Sequence, residues 1–312
     1  MLNIRRFVKG ADEPVWDEVL SASRRDSEEW GAVAVEELRL KEKRPGFDSE
    51  GRFIADLDGK SVGLVHADVN KLSEDRKGLI RLSVISEFRG AGIERRLLEA
   101  ALIELKVRGM TAAQAWTDSE NRDYMQLLEK LGFKRIRAGS TMEMDLADVS
   151  RNVVENKQVA IWSLQKDRED HIELINRLDN EIYKEHFNFR PDTLDETRNF
   201  LFLSPYFTQR ETFFAVFNGE KVGYVSVAVD EKYSLEKRVR AGRISSVGVL
   251  KGYRRRGIGT RLMLHGLETL KAKGMTKAIL HVDDYNPTKA RTLYGKVGFR
   301  VKKKDFTYER KL

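Results

Sequence analysis

Two stretches of the chain run as apolar-rich strand patterns, break at a tight turn and resume. Phe53-Ile54-Ala55-Asp56-Leu57 enters Asp58-Gly59 and continues as Lys60-Ser61-Val62-Gly63-Leu64-Val65. Phe214-Ala215-Val216-Phe217 enters Asn218-Gly219 and continues as Glu220-Lys221-Val222-Gly223-Tyr224-Val225. Asp-Gly and Asn-Gly suit the left-handed positions of a two-residue hairpin, so each stretch predicts strand, turn, strand. Each is followed by a second pattern, in which a short apolar strand gives way to a glycine-punctuated turn and then to a helix. Leu82-Ser83-Val84 leads to Arg89-Gly90-Ala91-Gly92-Ile93-Glu94, and Val247-Gly248-Val249 leads to Arg254-Arg255-Arg256-Gly257-Ile258-Gly259-Thr260.

Arg89 and Arg254 stand 165 positions apart, and the same offset pairs Met110 with Met275, Trp116 with His281 and Asn121 with Asn286. Leu131-Gly132-Phe133 likewise matches Val297-Gly298-Phe299. A repeat of this length is a duplicated domain and not a solenoid unit. The 312 residues agree, at roughly 150 per domain. The expected boundaries are 1–148 for the first domain, 149–157 for a short polar linker and 158–312 for the second.

Composition narrows the chemistry. With no cysteine, disulfides, thiolate metal sites and a cysteine nucleophile are excluded, which fits a reducing compartment. His66, His171, His186, His265 and His281 form no H-x-x-x-H pair, so no metal site is expected. No apolar run approaches a membrane span, and Met1–Phe7 is too short and too charged for a signal peptide, so a cytoplasmic protein with no membrane partner is expected. The formal charge of +8, from 57 Lys+Arg against 49 Asp+Glu, is spread among both signs. Its clusters are Arg254–Arg256 and Lys302–Lys304, without the aromatic and basic motifs of nucleic-acid readers, so nucleic acid is not the expected partner.

The turn at 254–260 is suited to phosphate. Main-chain N–H groups point out of a first helical turn, the helix dipole favours an anion there, and the absent Cβ atoms of Gly257 and Gly259 permit close approach. It lacks the third glycine of a dinucleotide turn and the Gly-Lys-Ser/Thr of a P-loop. In the first copy Glu94 replaces the second glycine, adding bulk and negative charge.

Arg254-x-x-Gly257-x-Gly259 after a Val-x-Val strand, then a strand ending Leu280-His281-Val282-Asp283-Asp284, then Asn286 and Leu293-Tyr294-x-x-x-Gly298-Phe299, resembles the GCN5-related N-acetyltransferases (GNAT). Both halves fit, and the arrangement is similar to the tandem-domain type that includes mycothiol synthase. The resemblance implies an α/β fold of two tandem GNAT domains. Each has a mostly antiparallel central sheet with one splayed parallel strand pair and flanking helices. It implies acetyl-CoA as acyl donor and transfer of acetyl to a primary amine in the second domain.

In that resemblance, the main-chain N–H groups of Arg255, Arg256, Gly257, Ile258, Gly259 and Thr260 cradle the pyrophosphate, and Arg254 and its neighbours neutralise charge. The edge Val247-Gly248-Val249 pairs with the pantetheine amides, and the Val249 N–H faces the thioester carbonyl. Tyr294 is the expected general acid beside the CoA sulfur. Asn286 contacts the cofactor or caps a turn, Asn286-Pro287 reading as N-cap and first residue of a helix. His281 is the candidate general base, with Asp283 and Asp284 behind it. Arg243 departs from the glutamate that mycothiol synthase-like enzymes carry there.

A weakly equipped base favours an acceptor of low pKa. Neutralising a lysine amine at pH 7 costs about 4.6 kcal/mol, an α-amine only about 1.1. This favours a small amino-sugar, amino-acid or N-terminal amine over lysine; a small-molecule amine is expected, with protein N-terminal or lysine acetylation as the alternative and a non-catalytic acyl-CoA-sensing module as the reading from another class. The first domain, with Glu94 in its turn, Leu128 opposite Tyr294 and Trp116 opposite His281, is expected to be non-catalytic. The stretch 186–210, with Phe187, Phe189, Arg190, Tyr206 and Phe207, is a candidate acceptor pocket or a packed helix pair. Asp230–Arg240 is a candidate lid or a solvated hairpin. The assembly is expected to be a monomer or homodimer.

Overall fold

The computed structural model describes residues 1–23, 39, 42–149, 156–202, 209–229, 231–236 and 238–312. It divides into two compact units, one of residues 1–138 with 305–312 and one of residues 139–304.

Unit 1 contains β1 (Leu2–Arg6), α1 (Glu13–Ser23), β2 (Arg52–Leu57), β3 (Lys60–Val69), β4 (Lys77–Val84), α2 (Ile93–Val107), β5 (Ala112–Asp118) and α3 (Arg122–Lys130). The chain leaves it within β6 (Lys134–Asp145). Unit 2 contains the rest of β6, then β7 (Ala160–Ser163), α4 (Glu169–Tyr183), α5 (Leu194–Phe202), β8 (Gln209–Phe217), β9 (Glu220–Val229), α6 (Glu231–Glu236), β10 (Ala241–Val249), α7 (Ile258–Ala272), β11 (Lys277–Asp283) and α8 (Ala290–Val297). The chain leaves unit 2 within β12 (Arg300–Lys311).

Both units realise the expected mixed α/β sheet. Neighbours pair antiparallel except β4 with β5 and β10 with β11, which run parallel. The two hairpin turns form as expected, with Asp58 and Gly59 at φ 50° and 83° and Asn218 and Gly219 at φ 51° and 81°. In unit 2, α7 buries Leu262, Met263, Leu267 and Leu270 on one sheet face. On the other face α4 and α5 bury Ile172, Ile175, Leu178, Ile182 and Leu201 against Phe214 and Tyr224. Apolar residues three and four apart on α4 supply this stripe.

The compact units do not follow the boundaries expected at 148 and 158. The last strand of each sequence half pairs inside the other unit. Residues 139–145 of β6 pair antiparallel with β11, from Asp283↔Gly139 to Lys277↔Asp145. Residues 305–311 of β12 pair antiparallel with β5, from Asp305↔Asp118 to Lys311↔Ala112. The exchanged segments are core segments: Met142 and Met144 join the interior of unit 2, and Tyr308, 2% exposed, joins that of unit 1. Alternation along a strand marks its buried face but does not name its partner, so the pattern alone puts the boundary between the halves.

Two further expectations change. Asn286-Pro287 does not open a helix. Asn286 Oδ1 accepts from Thr288 N at 2.8 Å and so closes a turn; Lys289 at φ 55° interrupts the chain, and α8 starts at Ala290. Between β9 and β10 the charged stretch forms a short helix, Glu231–Glu236, with 230 and 237 outside the described residues.

Candidate active site

The parallel pair β10 and β11 is joined only at its beginning, from Ala241↔Lys277 to Arg243↔Ile279. Beyond it β10 stays with β9 as far as Val249↔Gly223, through a bulge between Ile244 and Ser246, while β11 stays with β6 as far as Asp283. The strands thus part, and the opening is a cleft of about 830 Å³ within unit 2. Its walls are the diverging strands, α4, the turn before α7 and α8.

The free side of β10 carries specific polar groups. Leu250 N donates to Val222 O at 2.9 Å. Directions alternate along an antiparallel strand, so Val249 presents its N–H to the open side. Val247 O lies on that side and accepts from Tyr183 Oη at 3.1 Å. Gly248 lines the cleft, and a Cβ on it would stand 2.4 Å from Ile182 Cγ2, so α4 packs directly on this backbone.

The turn before α7 leaves the helix start open. Gly257, at φ 75°, is the N-cap, with no side chain capping the helix. The first intrahelical bond closes from Arg261 N to Gly257 O at 3.0 Å, so the N–H groups of the first turn remain for a ligand. A Cβ on Gly259 would reach only ordinary contact with Leu293 and Val249, at 3.5 and 3.8 Å. Its absence is therefore not required by packing and keeps space open between those two side chains.

The seven residues 254–260 do not act alike. Arg255, Gly257, Gly259 and Thr260 line the cleft. Ile258, 1% exposed, turns its side chain into the core. The Arg256 guanidinium lies 5.9 Å from the Phe217 and Tyr253 rings, and its carbonyl accepts from Asn156 Nδ2 at 2.8 Å. Arg254 also borders the cleft. Its guanidinium, however, is engaged with the carbonyls of Val249 at 3.0 Å and Ile182 at 3.3 Å, and with Glu185 at 3.5 Å. The expected charge-neutralising arginine is first a clamp between strand end and α4.

Tyr294 projects from α8 into the cleft and is 7% exposed. Its hydroxyl has no hydrogen-bond partner among the described residues, and burial, followed by nearby Tyr183, pushes it above the ordinary tyrosine range. It therefore stays protonated and available to donate. Val247, Val249, His281, Asp283 and Asn286 line the same cleft. His281 is exposed at the end of β11. Asp284 does not line it: its carboxylate is held by Ser140 at 2.6 Å and Lys304 at 3.1 Å, which keep it below the usual carboxylate range despite burial.

The stretch 186–210 departs in part from its reading as a pocket wall. Phe187, Phe189 and Arg190 are not on the cleft wall; His186, Asp192, Thr197 and Phe200 are. Tyr206 and Phe207 fall outside the described residues. Arg190 pairs with Glu196 instead. The wall also holds residues the sequence reading missed: Asp179, Tyr183, Tyr224 and Ser246. Tyr224 Oη donates to Asp179 and meets Ser246 Oγ at 2.7 Å, and Tyr183 Oη meets the same Ser246 Oγ at 2.8 Å. Burial pushes the Asp179 carboxyl up to about 6, opposed by the Tyr224 hydrogen bond. One signal was legible, since Asp179 follows Ile172 and Ile175 by seven and four residues and so falls on the apolar face of α4.

A model of the Acetyltransferase (GNAT) family matches residues 16–133 and 173–299. Mycothiol acetyltransferase of Thermomonospora curvata is 34% identical over 135 residues, covering 43% of this chain and 44% of that protein. Its counterpart in Thermobispora bispora is 32% identical over 138 residues, covering 43% and 47%. The matched region thus spans under half the length of these relatives. Among solved structures, a tandem GNAT protein from the clavulanic acid biosynthesis pathway superposes with TM-score 0.79 at 14% identity, over 100% of this chain and 98% of that one. A GCN5-related N-acetyltransferase from Sphaerobacter thermophilus superposes with TM-score 0.71 at 20% identity, over 99% and 95%. At such identities the likeness is one of fold.

Proposed function

The chain belongs to the GNAT acetyltransferase family, and from that premise we propose that unit 2 transfers acetyl from acetyl-CoA to a primary amine of a small molecule. The observation that carries this reading is a convergence on one cleft. An uncapped helix start at Gly257, a parted strand edge at Val247–Val249 and a protonated, buried Tyr294 all line it. These match the needs of a pyrophosphate, a chain of amides and a thiolate leaving group.

In this reading the N–H groups after Gly257 hold the pyrophosphate, with Arg255 and Thr260 beside them. Val249 N–H donates to the thioester oxygen, where negative charge grows as the amine attacks. The Tyr294 hydroxyl gives its proton to the departing sulfur. The acetyl donor supplies the activated acyl group. A small-molecule acceptor is supported by the relatives named mycothiol acetyltransferase. Unit 1 is assigned a non-catalytic role, because Glu94 Oε1 already accepts from Gly90 N at 3.2 Å in its turn and Leu128 stands opposite Tyr294.

The test is calorimetric titration of acetyl-CoA into the wild type and Gly259→Glu. We expect one binding event, lost in the variant. Binding that persists in a folded Gly259→Glu protein would place the donor elsewhere and defeat the assignment to unit 2.

A further inference from the structure

One row of hydrogen bonds crosses the acceptor end of the cleft. It runs from Asp179 to Tyr224 Oη, to Ser246 Oγ at 2.7 Å, to Tyr183 Oη at 2.8 Å, and ends on Val247 O at 3.1 Å. The row has four links, and its three hydroxyls own three protons. With Asp179 ionised, Tyr224 donates to the carboxylate and Tyr183 to Val247 O. Ser246 then has one proton for two oxygen neighbours, so one contact holds no proton. A proton on Asp179 lets all four groups donate in the same direction and fills every link.

The fold does not require this row. Arg89 Nη2 donates to Ser23 O at 3.0 Å as Arg254 Nη2 donates to Ile182 O, which aligns α1 with α4 and Leu20 with Asp179. The pairs Gly63↔Val84 and Gly223↔Val249 align Leu64 with Tyr224 and Arg81 with Ser246. Unit 1 thus carries leucines where Asp179 and Tyr224 stand, Leu64 being 2% exposed, and an arginine where Ser246 stands. A carboxylate and a tyrosine kept in a cleft, where leucines hold the same places in the other copy, point to a chemical use.

Resting on the acetyl-transfer reading above, we propose that Asp179 is the proton acceptor for the incoming amine and that Tyr224, Ser246 and Tyr183 hold the accepted proton. The acceptor arrives as an ammonium ion and gives one proton to the Asp179 carboxylate. The freed lone pair forms the C–N bond, the C–S bond breaks, and the sulfur takes the proton of Tyr294. Tyr294 recovers the second proton lost by the nitrogen as the amide forms. Asp179 returns its proton to water when the products leave.

The groups that act on Asp179 are Tyr224 from β9, Tyr183 on its own helix and Asp192 from the segment before α5, none of them cationic, with Ser246 of β10 one link further along the row. Arg210 from β8 acts on Tyr224, and the buried Arg243 acts on Arg210. A half-buried carboxylate without a cation among the groups that shift it suits a positively charged ligand. The substrate class is accordingly an amine that is protonated in solution, which revises the expectation of a low-pKa acceptor.

The test compares thiol release with ethanolamine, an ammonium ion at neutral pH, and with methoxyamine, which is already neutral. In Asp179→Asn we expect ethanolamine acetylation to fall about 100-fold or more while methoxyamine acetylation stays within about threefold, because only the first needs a base. The acidic limb of the wild-type pH profile with ethanolamine should also disappear. Equal losses with both amines, or no loss with either, overturn the proposal. Infrared titration of the wild type minus Asp179→Asn reads the carboxyl directly: a midpoint near 6 that drops in Ser246→Ala supports the row, and an ordinary aspartate midpoint overturns it. If the wild type binds no acetyl-CoA, the transferase reading fails on calorimetry, whereas the infrared midpoint judges Asp179 by itself.

Discussion

The turns that open α2 and α7 share a backbone and differ in what satisfies it. Each follows a single 3-10 turn, carries an arginine whose guanidinium seizes the carbonyl at the strand end, and caps its helix with a left-handed glycine, Gly92 at φ 82° or Gly257 at φ 75°. Arg89 takes Val84 O at 3.1 Å, as Arg254 takes Val249 O at 3.0 Å. In unit 1 a carboxylate from the chain itself, Glu94, accepts from Gly90 N. In unit 2 the equivalent side chain is absent, so the donors face the cleft. The two copies share the scaffold, and in the proposed reading anion binding depends on whether the protein supplies its own anion.

The largest expected effect tests the other half of this contrast, the hydroxyl that unit 1 lacks. Tyr294→Phe keeps the ring packed 6.2 Å from Phe299 and removes only the proton donor. We expect kcat to fall about 100-fold with acetyl-CoA affinity unchanged, as for loss of a general acid. An unchanged kcat would make Tyr294 a packing residue like Leu128.

The row around Asp179 gives the next effect, and its sign is set by the direction of the shift. Burial raises this carboxyl from 3.8 to about 6, so its contribution to stability is full below pH 4 and is lost as pH rises through 6. That amounts to about 2–3 kcal/mol by linkage. Asp179→Asn should therefore flatten the stability profile between pH 4 and 7, measured by denaturant titration, whereas Leu20→Asn at the matching place in unit 1 should leave that profile unchanged.

The arginine clamps should behave alike if they are structural in both copies. Arg89→Ala and Arg254→Ala each release two carbonyls, and each should lose about 1–3 kcal/mol. Arg254→Ala should weaken acetyl-CoA far less than Gly259→Glu does. A loss of affinity without a loss of stability would restore Arg254 to the phosphate.

How far the sequence could be read follows from the range of the interactions. The strand-turn-helix units and both hairpins were legible, because Asp58-Gly59, Asn218-Gly219 and the turns near Gly92 and Gly257 encode their backbone locally, whereas the parallel pair was implied by the family resemblance alone. The family motif likewise placed Tyr294, Val249 and Gly259 on one cleft. The exchange of β6 and β12 was not legible, since period-two alternation is silent about partners. Nor was Arg254's engagement with Ile182 O, which is 72 residues away, or the meeting of Asp179, Tyr224 and Ser246 from three separate elements.

The smallest effect bears on the unit 1 turn alone. Glu94 sits in the first turn of α2, where a negative charge is favoured by the exposed N–H groups, and its carboxylate accepts from Gly90 N. Glu94→Gln keeps the size and removes the charge, so it should cost about 0.3–1 kcal/mol in low salt, with less of a loss at high ionic strength, where the dipole interaction is screened. Glu94→Gly goes further and copies the open turn of unit 2. If the internal carboxylate is what closes the unit 1 turn, this variant should gain weak affinity for inorganic pyrophosphate, read by calorimetry, while gaining no acetyl transfer, because Leu128 still stands where a proton donor is needed. A Glu94→Gly protein that ignores pyrophosphate would show that the two turns differ in more than this one side chain.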